Sequence, residues 1–496
     1  MTAPRTPGTA DYRRRVLVGV GWTALQKWAV RFASLATFAV LGRLVGPADI
    51  GLATLATAVI GLLTVIADLG ASAYVVRAPR LDRRALSTVF WTNLALACGA
   101  GLLVAGVAHP LAAVLGEPRL GPVLQVAALL LPLSALATTP VALLTRELDM
   151  RPLAFREMIA ALFGAAVGLS AAFAGAGVWA LVAQALAQAV AGIVVVWRAT
   201  TWRPTREFHP PAAREMARYG SGVSGSNLVQ ALHDRTEQFV LGAVAGVEVL
   251  AYWAIGTRLL NLVYDVSMAV LDMVALPVMS RVSADRQRLA KTLDSATAGG
   301  LLLLVPVLLV VWFTAGWVIP LVFGPGWTPS VALIQVLCLT YAVGGLSWFS
   351  RPALLAAGRS GVEFAVTLLG LGVHVAAVVL AAPHGLIVLA WVVTGEAVLM
   401  VAVRAAVQRR CIQVGWSVYL RSVRVLVAGG VAVAVAAGLR ETVAGTGGQV
   451  LAVAAGAVAY LALVWLLNRS LVGEVVGDVR RLAGRNPDPQ EARHDG

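Results

Sequence analysis

Apolar runs of about twenty residues, the length an α-helix needs to cross roughly 30 Å of hydrocarbon, recur along this chain from one end to the other. Read by hydropathy and broken at clusters of charge, glycine and proline, the sequence predicts about fourteen spans, at 17–44, 50–76, 85–108, 122–145, 154–174, 177–197, 219–245, 249–279, 292–314, 329–350, 361–382, 385–403, 417–438 and 448–468. The composition agrees: 59% of the 496 residues are hydrophobic, 13% are charged, and the mean hydropathy is +0.81, which excludes an ordinary soluble domain. The fold class expected is an all-α polytopic membrane protein. The apolar segment after Arg15 runs directly into the first span, so no cleavable signal is expected.

A formal charge of +14 raises the question of a nucleic-acid partner, and the placement of the cations answers it. Of the 39 Lys and Arg, 32 fall in every second connection, among them Arg13 to Arg15, Arg77 to Arg84, Arg146 to Arg156 and Arg198 to Arg218. The alternate connections hold Arg43, Arg119 and Arg440. This is the positive-inside pattern, so both termini are expected on the cytoplasmic side of the cell membrane and no nucleic-acid partner is expected. Cys98, Cys338 and Cys411 have neither metal-ligand spacing nor a plausible disulfide pairing.

The sequence repeats itself. "VLGRLVGPADIGLA" from Val40 returns as "VLGAVAGVEVLAYW" from Val240, so Gly42 and Gly46 reappear as Gly242 and Gly246. "GPVLQVAALL" around Gln125 returns as "PSVALIQVLCL" around Gln335. A unit of about 200 residues is too long for a solenoid repeat, and with six spans it keeps its orientation, which predicts two six-helix lobes related by an axis along the membrane normal, with a cleft between them. The expected organisation is an N-terminal segment 1–16, a first lobe 17–198, a linker 199–218, a second lobe 219–410, two further helices in 411–468 and a disordered tail 469–496. Within the linker, "AAREMARYG" reads as an interfacial helix.

The polar residues inside the spans carry the functional reading. Lys27 and Arg31 lie four apart on one face of the first span, Arg235 lies in the seventh and Arg258 in the eighth. A charge at bilayer depth costs roughly 2.5 to 3.5 kcal/mol even on lenient scales, so these groups are expected to face a water-filled cavity or one another. Asn227, Gln230, Asp234, Glu237 and Gln238 form one stripe on the seventh span; Arg258, Asn261, Asp265, Met268 and Asp272 form another on the eighth. Asp68 is expected to cap or gate, and Asp272 to gate or support structure. Glu237 and Asp265 are candidate proton carriers, and His374 reads as a polar core residue. Trp179, Trp312, Trp317 and Trp327, near span ends, suit an interfacial belt. No phosphate-binding glycine loop, zinc motif or nucleophile elbow occurs, and no connection is long enough for a catalytic domain, so neither a cofactor nor an enzymatic activity is expected.

"LGRLVGPADIGLATLA", "ADLGASAYVVRAPRLDRRALSTVFWTNL" and "TRELDMRPLAFREM", with "DRTEQFVLGAVAGVEVLAYWAIGTRL", "LPVMSRVS" and "LVFGPGWTPSVALIQVL" in the second half, closely resemble the Wzx-type polysaccharide flippases of the MOP exporter superfamily. The resemblance covers Val16 to Asn468 and implies a two-lobed, fourteen-helix transporter. Its cargo would be an undecaprenyl-pyrophosphate-linked oligosaccharide, moved to the outer leaflet by alternating access, with polysaccharide polymerase and glycosyltransferase machinery as partners. It also implies a cationic central cavity, and the cations fitting that description are Lys27, Arg31, Arg235 and Arg258. Two to four cations in a low-dielectric cleft would offset the desolvation of a pyrophosphate, and Asp234 and Asp265 would reduce their mutual repulsion. The alternatives are a cation-coupled multidrug antiporter of the same superfamily, for which an anionic or aromatic cavity is expected, and a non-transporting membrane scaffold.

Overall fold

The computed structural model describes residues 33–78, 81–147, 149–442 and 446–469; the expected segment 1–16, most of the tail 469–496 and the pair Lys27 and Arg31 lie outside them. Among the described residues the chain is all helix and turn, with seventeen α-helices. They are α1 (Ala33–Val45), α2 (Pro47–Asp68), α3 (Ala71–Arg77), α4 (Arg83–Val114), α5 (Leu120–Ala127), α6 (Leu130–Arg146), α7 (Met150–Phe173), α8 (Val178–Ala199) and α9 (Pro210–Val244), followed by α10 (Val247–Val282) and α11 (Arg286–Phe323). The remainder are α12 (Pro329–Gly345), α13 (Ser350–Ala356), α14 (Ser360–Ala381), α15 (Leu386–Cys411), α16 (Leu420–Thr442) and α17 (Thr446–Leu467).

Ten of these helices or helix pairs are long and apolar enough to cross a membrane, which makes this a polytopic membrane protein. Four of the fourteen expected spans fall outside that set. The span 17–44 lies partly outside the described residues, and in 448–468 only a 17-residue apolar stretch, Leu451–Leu467, is described. The spans 219–245 and 249–279 correspond to α9 and α10, in which some residues lie outside the described side chains. The fourth span is broken into α5 and α6. Pro132 has no N–H for the Ala128 carbonyl, and the chain tightens there, with Leu131 N donating to Ala128 O at 3.1 Å.

The helices form two compact units. One comprises the described residues up to Ile255 together with Ile319–Pro329; the other comprises Gly256–Val318 and the residues from Ser330 onward. In the first unit α2 lies against α9 and the start of α10 so closely that a Cβ at Gly51 would stand 1.7 Å from the Val247 carbonyl oxygen. The α7–α8 pair uses small residues in the same way. Cβ atoms at Gly164 and Gly168, four residues apart, would meet Gln188 Cγ at 2.1 Å and Gln184 Cβ at 2.8 Å.

The sequence repeat returns in the backbone. Gly46 and Gly246 both precede a helix with positive φ, 83° and 87°, a conformation that favours glycine. Each carbonyl then accepts from the N–H four residues on, Ile50 at 3.3 Å and Leu250 at 3.2 Å. The paired glutamines also do the same work: Gln125 Nε2 donates to Ala105 O at 3.3 Å, and Gln335 Nε2 to Trp312 O at 3.2 Å.

Two expectations are corrected. "AAREMARYG" is not a separate interfacial helix but the opening of α9, with Met216 1% exposed among Tyr74, Val75, Leu86 and Ala142. The residues before it are fastened to α4: Thr205 N donates to Ser87 Oγ at 2.9 Å, His209 N to Thr88 Oγ1 at 2.8 Å, and Trp91 Nε1 to Thr205 O at 2.8 Å. Trp327 does not belong to an interfacial belt. It is 1% exposed and donates from Nε1 to Gly42 O at 3.0 Å, because an indole N–H buried by packing needs an acceptor. Trp179 and Trp317 are exposed, as a belt requires.

Arg146 ends α6 and ties it to α3. Its Nη1 donates to Val75 O at 2.9 Å and Ala78 O at 2.6 Å, satisfying carbonyls that the C-terminus of α3 leaves without helical partners. Arg146→Ala is expected to destabilise the first unit by about 2 kcal/mol, with Arg146→Lys recovering part of it. Thermal unfolding of the purified variants in one detergent measures this.

Candidate functional site

In the first unit α9 lies along α2. Asn227, Gln230 and Asp234 lie on this helix, with side chains outside the described ones. Arg235 is half-buried; its Nη1 donates to Gln238 Oε1 at 3.0 Å, one turn on. Its guanidinium lies over Gly61 of α2, where a Cβ would stand 3.2 Å from Nη2. The missing side chain at Gly61 therefore makes the room in which Arg235 lies flat. Glu237, also half-buried, accepts from Trp253 Nε1 at 2.6 Å, and Trp253 itself is 1% exposed. Asp68 closes α2 with a carboxylate that accepts from Ser72 Oγ at 2.7 Å, and Leu69 and Gly70 turn the chain into α3 through left-handed conformations.

In the second unit α10 has two unlike faces. Leu260, Tyr264, Ser267 and Met268 are buried, whereas Arg258, Asn261, Asp265 and Asp272 are exposed. At 100° per residue those four occupy an arc of about 60°, so the stripe read from the sequence is one face of the helix. Met268 does not belong to it, and packs inward instead. In a bilayer, a helix with such a face would need water or protein beside it, not lipid. Tyr341 Oη donates to Asn261 Oδ1 at 2.7 Å, and Trp348 Nε1 donates to Asp272 Oδ1. Tyr264 joins them, edge-to-face with Trp348 at 4.6 Å and with Tyr341 at 5.8 Å between ring centroids.

The aromatic partners Trp253, Tyr341 and Trp348 were not singled out by the sequence reading. The signal for them is faint: each sits in an apolar run, where only its N–H or O–H distinguishes it from other bulky residues. His374, read as a polar core residue, is buried and pairs with Glu396 across α14 and α15, Nδ1 to Oε2 at 2.7 Å. The same two helices are joined by Arg404 Nη1 and the Glu363 carboxylate at 3.1 Å. Among the described residues no group of three His, Cys, Asp or Glu is placed to hold a metal ion.

The fold is that of known transporters. The lipid II flippase MurJ in an inward closed conformation superposes with a TM-score of 0.75 over 91% of this chain and 99% of that one, at 12% identity. An inward-facing multidrug resistance MATE family transporter of the MOP superfamily gives 0.58 over 79% of this chain and 98% of its own, at 15% identity. By sequence, the succinoglycan biosynthesis transport protein ExoT of Rhizobium meliloti (strain 1021) is 25% identical over 351 residues, 71% of each protein. The lipopolysaccharide biosynthesis protein WzxC of Escherichia coli (strain K12) is 22% identical over 364 residues, 71% of this chain and 72% of that one. The polysaccharide biosynthesis protein family matches residues 40–332, more than half of the chain and the whole stretch that holds α2, the α9 stripe and the exposed face of α10. The chain belongs to the polysaccharide biosynthesis protein family.

Proposed function

We propose that this protein flips a polyprenyl-pyrophosphate-linked oligosaccharide, a repeat unit of a capsule, exopolysaccharide or O-antigen, from the cytoplasmic to the outer leaflet of the cell membrane by alternating access. The observation that carries the reading is Arg235, a guanidinium seated over Gly61 in a span-length helix of a polysaccharide biosynthesis family member. A pyrophosphate leaving water needs fixed cations, and a guanidinium held flat by its neighbours offers a donor fork without further ordering. Lys27, Arg31 and Arg258 complete the cationic set in this proposal. Asn227, Gln230, Asp234, Glu237, Asn261 and Asp265 line the watery path or couple transport to an ion, and Asp68 and Asp272 gate the path or support the structure. The lobes 17–198 and 219–410, the linker 199–218 and the helices of 411–468 are the proposed working parts, with both termini cytoplasmic. Polymerase and glycosyltransferase machinery would consume and supply the cargo. No catalytic step is part of the proposal.

Purified protein in proteoliposomes should move a fluorescent polyprenyl-pyrophosphate oligosaccharide between leaflets and leave a cationic dye gradient unchanged. Dye movement without glycolipid movement would replace the flippase reading with that of a drug antiporter.

A further inference from the structure

A cationic cavity lies away from the stripes of α9 and α10, wholly inside the first unit. It is an open pocket of about 480 Å³ between α3, α6 and the start of α7. Its chemistry is uneven. Arg77 and Arg156 line it with the hydroxyls of Ser72, Ser134, Thr138 and Thr145, and no carboxylate is among the lining residues. Neither arginine has an acidic partner among the described residues, and Arg156 Nε is buried without a hydrogen-bond acceptor. Burying part of a guanidinium without an acidic partner costs free energy, and an anion beside its terminal nitrogens offsets that cost. The Arg156 side chain crosses Gly192 of α8, where a Cβ would stand 3.2 Å from Nε and 3.7 Å from Cγ.

The hydroxyls narrow the ligand further. Ser134, Thr138 and Thr145 donate to Leu131 O, Ser134 O and Val141 O, at 2.7, 3.2 and 2.8 Å. Their protons are engaged, so their oxygens offer lone pairs, which accept from hydroxyl groups of a guest. Two guanidiniums and a row of acceptors suit a phosphate ester that carries free hydroxyls on its alcohol. An ammonium headgroup would meet the arginines as a like charge. The volume is within the range of small-molecule sites and accommodates a sugar phosphate or a glycerophosphate. Arg77, one of its two arginines, is exposed.

We propose that this cavity is a second anion site, binding the phosphate of a hydroxyl-bearing phosphate ester, either a glycerophosphate lipid headgroup or the glycosyl phosphate end of a lipid-linked sugar. The site is independent of the transport reading, and its test reads binding, not flipping. Native mass spectrometry of the full chain in detergent would be titrated with phosphatidylglycerol, with undecaprenyl-pyrophosphate-linked monosaccharide and with phosphatidylethanolamine. Wild type should bind at least one of the first two more tightly than the third. Arg77→Gln, at an exposed position, and Arg156→Lys, which keeps charge and stem, should each weaken one bound equivalent about tenfold. Arg151→Gln, outside the cavity, should leave it unchanged. Phosphatidylglycerol affected alone assigns the site to a membrane lipid; the glycosyl pyrophosphate affected alone assigns it to the cargo. Unchanged binding of both ligands in Arg77→Gln and Arg156→Lys, or equal affinity for phosphatidylethanolamine, overturns the proposal.

Discussion

Gly51→Ala should destabilise the first unit by at least about 2 kcal/mol, although alanine is intrinsically the better helix residue by nearly 1 kcal/mol. The added methyl would lie 1.7 Å from the Val247 carbonyl oxygen, a backbone atom with no rotamer to escape into. Helices α2 and α10 would have to separate, loosening Ile50, Leu52 and Leu55, all buried, from their neighbours. Gly99→Ala in α4 is the control, because nothing lies within 4 Å of its Cβ position. A shift of the thermal midpoint in Gly51→Ala but not in Gly99→Ala is expected. Equal midpoints would mean that the close approach of α2 and Val247 is not a feature of the folded protein.

The second large effect is on transport. Arg235→Gln should reduce glycolipid flipping about 100-fold, and Arg235→Lys about tenfold, since lysine keeps the charge but loses the fork. Stability should change little, because the arginine's contacts, a hydrogen bond to Gln238 and a face over Gly61, are modest. Gly61→Ala tests the seat itself: a Cβ 3.2 Å from Nη2 displaces the guanidinium without altering charge. It should fall between the two arginine variants. Wild-type flipping in Arg235→Gln would assign that residue to structure alone.

What the sequence made legible follows from what is local. Hydropathy marks helices because a lipid-facing or core-facing helix is apolar along its length, and ten expected spans coincide with helices of that kind. The repeat was legible because Gly46 and Gly246 answer to a backbone requirement that few other residues meet. The stripe on α10 was legible as periodicity, but periodicity does not give the width of the exposed arc, so Met268 was placed on the wrong side of its edge. The pairs were not legible at all. Trp253 with Glu237, Trp348 with Asp272 and Arg146 with the end of α3 depend on how helices are rotated against one another, which packing decides. Trp327 shows the same limit: its neighbours in sequence suggest a span end, whereas its indole reaches Gly42, nearly 300 residues earlier.

The most direct test of the central claim compares wild type with the double variant Lys27→Ala/Arg31→Ala in proteoliposomes, after equal insertion and equal thermal midpoints have been established. The measured quantity is the rate at which a fluorescent polyprenyl-pyrophosphate oligosaccharide crosses the bilayer. The account predicts rapid crossing with wild type and crossing near the protein-free rate with the double variant. Equal rates in the two proteins would contradict a pyrophosphate site built on those cations.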